Sequence, residues 1–333
     1  MRLIKLFGLC AAVVMLVGAV AQEGPVGLAQ ADCTVTVQPG QSIQKAIDGA
    51  SEGAVICLAT GTWQENIEIK KSLTLRGAGW EQTKLGKASI SIYGPLQTAV
   101  FLERLTVTGG EWQNISIFAA KVIISESQIS SSDGVGIFIV GADVTIAHSR
   151  LLDNKGYGIY MQEPGQLAIT SSLISDNGSG VFILNIGGLG GYPAGATIID
   201  SQISSNKASG ITLAGVEEAE AQVEIKHSLI QNNGTSEDCK KKSLVCNGIT
   251  VYWVSYVKLT NSKVINNADW GVGASLKQCG YSEDVFFGQA VFEGMTIEDI
   301  SGNNVSGNQN GLGNPGNHPW NHPGVPDGQV CLP

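Results

Sequence analysis

From Val122 to Leu276 apolar and polar positions alternate in short runs, and the runs repeat. The segments TIAHSRLLDN, AITSSLISDN, TIIDSQISSN, EIKHSLIQNN and KLTNSKVINN align Ser149, Ser172, Ser201, Ser228 and Ser262, each followed five residues on by Asn154, Asn177, Asn206, Asn233 and Asn267. An earlier turn, VIISESQISSS, supplies Ser127, with Ser132 in the asparagine place. A glycine followed by Ile or Val closes each unit: Gly136, Gly158, Gly180, Gly210, Gly248 and Gly271, at intervals of 22, 22, 30, 38 and 23.

Alternation is the period of a strand with one face buried. Ile146, Ile169 and Ile198 stand three residues before their serines and Leu151, Ile174 and Ile203 two after, so the serines face inward with them. A second strand follows each glycine, with Ile159, Val181, Ile211 and Ile249 inward. Strands this short cannot bury their faces alone. Wound as a solenoid, each pairs with its equivalent one coil on, at ~4.8 Å, and the inward columns merge into one core. The pattern predicts an all-β parallel solenoid of about 22 residues per basic coil. The Ser and Asn columns are then structural: an asparagine at a tight bend tolerates left-handed backbone and hydrogen-bonds its counterparts above and below. The sequons at Asn177 and Asn233 match the glycosylation pattern, yet both side chains are expected inward and unmodified.

Ahead of the coils, QSIQKAIDGASEG sets Ile43, Ala46, Ile47 and Ala50 at helical spacing after Ser42, a fitting N-cap. A short amphipathic helix suits the open apolar end of a solenoid. The entry segment from Thr36 to Gly79, with Gly61-Thr62-Trp63 and Glu65-Asn66-Ile67, and the S-x-I-x-x-N-x-x-x-G-I coils resemble the right-handed parallel β-helix repeat proteins of the pectate-lyase-like superfamily, carbohydrate-binding proteins and sugar hydrolases among them. The resemblance implies a right-handed β-helix with a short N-terminal capping helix, and polysaccharide as ligand or substrate. The family's catalytic signatures are not present. The Asn-Thr-Asp, Asp-Asp and Gly-His-Gly segments of its galacturonan hydrolases do not occur, and Arg150 is the single arginine in the repeats, where pectate lyases use an arginine base beside calcium-binding aspartates.

The ends and the composition narrow the setting. Arg2 and Lys5, the apolar run Leu6 to Val20 and Ala19-Val20-Ala21 read as a secretory signal, residues 1–21; Ala29-Gln30-Ala31 is an alternative cleavage point. Residues 22–32 are expected to form a mature N-terminal segment, 33–291 the β-helix with its cap, and 292–333 the last coil and a Gly/Asn/Pro-rich tail, which is either disordered or, as Cys331 argues, tied back with Trp320 over the open end. Once the signal is removed, no membrane span is expected, and the protein is expected to be extracellular or periplasmic. A formal charge of -9 and three arginines after the signal (Arg76, Arg104, Arg150) argue against nucleic acid. With Cys10 removed, the even set of cysteines suits an oxidising compartment. Six cysteines permit fifteen pairings, among which proximity along the chain favours Cys33 with Cys57, Cys239 with Cys246, and Cys279 with Cys331. No metal site is expected, since His318 and His322 are separated by Pro319 from any helical geometry. No cofactor is expected either, calcium being called for only by a lyase.

Chemistry is left to outward columns. Just before the serines run Glu126, His148, Ser171, Asp200, His227 and Asn261, where Asp200 and His227 are neighbours and the candidate catalytic pair. On the second strand Phe138, Tyr160 and Phe182 face out, followed by Thr212 and Thr250, with Tyr252 alongside. Loops Asn185 to Ala196, Gly234 to Asn247 and Lys277 to Ala290 flank this strand. The reading is a secreted, by default monomeric β-helix with a carbohydrate-binding groove over Phe138, Tyr160, Phe182, Thr212, Thr250 and Tyr252. The alternatives are a non-catalytic structural or adhesin-like protein, and a lyase, hydrolase or epimerase with an unrecognised site.

Overall fold

The computed structural model describes residues 32–187, 193–216, 219–240, 246–273 and 288–303. The candidate signal, Cys279, Cys331, His318, His322, Trp320, nearly all of the 277–290 loop and most of the tail lie outside them.

Each coil contributes one strand to each of three parallel sheets. Sheet 1 has eleven strands, from Val35–Val37 to Gln289–Glu293; sheet 2 has nine, from Ile67–Ile69 to Val272–Gly273; sheet 3 has nine three- or four-residue strands, from Gly61–Trp63 to Lys263–Ile265. The chain runs from sheet 1 through a corner to sheet 3, through a second corner to sheet 2, and back. Every ladder is parallel, and register follows the sequence columns: Ile146 pairs with Ile169, Leu151 with Ile174, and Ile159 with Val181. All of these are buried in a single core of isoleucine, leucine and valine that runs the length of the coils.

The two corners are made by left-handed residues. Glu126, His148, Ser171, Asp200, His227 and Asn261 turn the chain out of sheet 1 at φ between 46° and 50°. Asp153, Asp176, Ser205, Asn232 and Asn266 turn it out of sheet 3. These are mostly residues whose short polar side chains make such a backbone less costly.

Behind each corner runs a polar ladder inside the core. The Ser149 hydroxyl donates to the Ala147 carbonyl at 2.8 Å and accepts the Ser127 backbone N–H at 3.2 Å; Ser172, Ser201, Ser228 and Ser262 repeat the pattern. The asparagines do the same in longer reach. Asn233 donates from both its backbone N–H and its side-chain amide to Oδ1 of Asn267, at 3.1 and 2.9 Å. The ladder extends beyond the predicted repeats to Asn303, and Asn114 joins it at the other end through Asn154. From Asn154 to Asn303, each asparagine also donates to a carbonyl of the previous coil's sheet 3 strand, as Asn177 does to Leu151. In this way the backbone groups that a tight bend leaves over are satisfied without water. Asn177 and Asn233 are therefore fully buried, as expected of the sequons.

The helix Ile43–Gly49 caps the first coil, with Ile43 and Ile47 buried and the Ser42 side chain accepting from the Lys45 N–H. Glu65 explains its place in the entry segment: its carboxylate accepts from the Ser42 hydroxyl and, at 2.8 Å, from the Ile43 N–H, at the positive end of that helix. Trp63 is buried beneath, its indole N–H on the Gln41 carbonyl. Disulfides join Cys33 to Cys57 and Cys239 to Cys246, as proximity predicted. No helix among the described residues is long and apolar enough to cross a membrane.

Candidate functional site

Sheet 2 presents the aromatic column to its outer face. Phe138, Tyr160, Phe182, Thr212 and Thr250 are register partners in successive coils. Neighbouring strands at ~4.8 Å bring the rings into contact. Tyr160 and Phe182 stack with centroids 5.1 Å apart and planes 22° from parallel, and Phe138 meets Tyr160 at 5.5 Å. Tyr157, three residues earlier in the same strand, adds a second ring against both Tyr160 and Phe182. The ladder reaches further than the sequence columns indicated. Phe118 meets Phe138 diagonally at 6.1 Å, and Tyr93 stacks on Phe118 at 5.0 Å with planes only 5° apart. All of these rings are partly exposed. Burial among neighbours, and secondly the Tyr157 hydroxyl, hold the Tyr160 phenol above its ordinary pKa.

The C-terminal half of the expected groove differs. Thr212 is half-buried, but Thr250 is buried, at 1% exposure. Its hydroxyl accepts from the Asn247 side-chain amide at 3.0 Å and lies 3.3 Å from the Ser209 hydroxyl. Thr250 is thus corrected from groove to support: alternation gives its side of the sheet rightly, while the longer coils around it supply the cover. Tyr252 belongs to the adjacent column, beside Ala214, and its phenol is pushed up by burial. The Cys239–Cys246 loop is fixed on this side by the Cys239 contact to the Lys207 carbonyl and the Cys246 N–H bond to Asp269.

Asp200 and His227 do meet. The Asp200 carboxylate is 3.8 Å from His227 Nδ1, with both side chains more than half exposed. They belong to the sheet 1 to sheet 3 corner, away from the aromatic face. This corner also holds what the repeat pattern missed: Trp80, on the turn before the Thr83–Gly86 strand, with the Arg150 guanidinium 4.8 Å from its ring centre. A groove of about 590 Å³ lies between Trp80 and the corner side chains His148, Asp200 and His227. Among the described residues, no three His, Cys, Asp or Glu side chains converge as a metal site.

A model of the right-handed β-helix region matches residues 81–190. No match to a curated protein was found. Among solved structures, the chain is similar to the ORF18 protein of Geobacillus virus E2, at 13% identity and a TM-score of 0.53, over 79% of this chain and 56% of that one. The chain therefore spans little more than half of that protein's length. It is also similar to the pectate lyase Pel9A, at 12% identity and a TM-score of 0.55, over 83% of this chain and 78% of that one. At such identities the likeness is one of fold. With its three parallel sheets, its internal Ser and Asn ladders and these matches, the chain is in fold a right-handed parallel β-helix.

Proposed function

We propose that this is a secreted protein that binds polysaccharide along the outer face of sheet 2. The carrying observation is the continuous run of partly exposed rings from Tyr93 through Phe118, Phe138 and Tyr160 to Phe182. Flat, rigid aromatic surface at the protein boundary suits the apolar C–H faces of sugar rings, and strand spacing sets the rings at regular intervals along a chain-like ligand. The fold shared with a pectate lyase and the disulfides fit an extracellular polysaccharide as partner. Binding without chemistry is the preferred form, because Asp200 with His227, the candidate catalytic pair, stands at another corner of the coil.

The test is a fluorescence titration with a panel of neutral and acidic polysaccharides, run on wild type and Tyr160→Ala. Saturable binding that Tyr160→Ala weakens supports the reading. Absence of saturation with every polysaccharide, or identical curves for the variant, refutes it. Product analysis on the same panel, with and without calcium, separates the two forms: new reducing ends or unsaturated sugars would make the protein an enzyme.

A further inference from the structure

The corner groove holds an arginine without an acidic partner. Among the described residues Arg150 forms no ion pair, although Arg76 and Arg104 both do. Its guanidinium lies over the Trp80 ring, and that ring is set by its own turn: the Thr106 hydroxyl donates to the Trp80 carbonyl at 2.6 Å, and Arg104 donates to the Ala78 carbonyl at 3.1 Å. A guanidinium stacked on an aromatic face keeps its N–H donors free around its edge, where they match a carboxylate in a two-point contact. Trp80 therefore acts as a positioning residue for an anion-binding edge.

The rest of the groove is of mixed character. His148 and His227 stand three coils apart, about 14 Å at ~4.8 Å per coil, with Asp200 and Gln202 between them among the lining residues. Imidazoles and an amide donate to and accept from hydroxyls; the Asp200 carboxylate accepts from them and repels densely charged chains. A second hollow of about 310 Å³ continues past Trp80 and His148 to Arg104 and Glu126, again with both signs of charge. Nucleic acid and polyphosphate are poorly matched by such a lining. A hydroxyl-rich chain with one anionic group per few sugar rings is well matched.

We propose that this groove is a second ligand site, distinct from the aromatic face of sheet 2, which takes a segment of acidic oligosaccharide with its anionic group on Arg150. It goes beyond the preceding reading and stands independently of it, because the two sites share no residue. Arg150 is exposed, so its replacement leaves the fold intact, which circular dichroism checks.

The test is calorimetric titration with three probes: an oligogalacturonide methyl-esterified on most of its carboxyls, a sparsely sulfated galactan oligosaccharide and a neutral glucan oligosaccharide. The expected result is saturable binding of a charged probe, weakened about tenfold or more by Arg150→Gln, weakened less by Trp80→Ala, and unchanged by Tyr160→Ala. Whichever charged probe binds decides between carboxylate and sulfate as the recognised group. Failure of both charged probes to bind, or equal affinity of Arg150→Gln and wild type, overturns the proposal. Loss of binding on Tyr160→Ala with Arg150→Gln unaffected overturns it too and leaves the aromatic face as the site. Loss on Arg150→Gln alone upholds the groove even if the aromatic face proves inert.

Discussion

Asn177 donates from its side-chain amide to Oδ1 of Asn206 at 3.1 Å, and its backbone N–H meets the same oxygen, also at 3.1 Å. One buried oxygen thus serves two donors of the coil before it, and Asn206 in turn donates twice to Asn233. The ladder is a chain in which each member is needed by its neighbour.

Replacement of Asn206 by alanine is expected to cost about 2–6 kcal/mol. It leaves two buried donors of Asn177 without an acceptor, at about 1–3 kcal/mol each. Urea denaturation measures the loss. A change below about 1 kcal/mol would mean that water or a backbone shift replaces Oδ1, and the ladder would then be decoration.

The glycine column has a different cause from conformational freedom. At Gly180 a Cβ would stand 2.2 Å from the Gly210 carbonyl oxygen and 2.9 Å from Ile203 Cγ2, so neither backbone nor core can yield. At Gly86 the nearest atom is Thr62 Cγ2 at 3.7 Å, an ordinary contact. Gly180→Ala is therefore expected to destabilise by about 3 kcal/mol, at the upper end of overpacking costs. Gly86→Ala should remain within about 0.5 kcal/mol of wild type. Equal melting temperatures for the two variants would contradict this account.

The coils were legible in the sequence because two periods coincide there: alternation sets which residues face inward, and the Ser, Asn and Gly columns mark where the chain bends. Ile146, Leu151 and Ile159 needed nothing more. Side of a sheet is not the same as exposure, and Thr250 shows the difference. It faces outward in register with Thr212, but Asn247 and Ser209 cover it. Trp80 was illegible for the opposite reason. It precedes the regular repeats, belongs to no column, and reaches Arg150 on a strand three coils along in sheet 3. The signal that could have found it is Arg150 itself, the single arginine of the repeats, in need of a partner.

Tyr252 offers a readout of the covered part of sheet 2. Burial holds its phenol above the ordinary value in the folded state, while the unfolded chain titrates near ~10. The folded form thus binds its proton more tightly. The stability this represents is fully present below pH ~10 and is lost as pH rises toward and through the folded value. Denaturation midpoints should fall more steeply above pH ~10 in wild type than in Tyr252→Phe. Parallel alkaline profiles for the two proteins would show that Tyr252 is solvated.

Expression in a eukaryotic secretory host tests the ladder from outside. Asn177 and Asn233 carry acceptor sequons, but their side-chain nitrogens donate inside the core to Asn206 and Asn267 and their residues are 0% and 1% exposed. A glycan on either nitrogen would remove a donor, and its bulk has no space between coils that pair strand by strand. Any chain modified there before folding is excluded from the native population. Peptide mass spectrometry of the folded, secreted fraction should therefore find both asparagines unmodified, with any modified chain confined to aggregated material. A native, monodisperse fraction with a glycan on Asn177 would show that the Asn ladder opens, and the buried polar chain would lose its place as the spine of this fold.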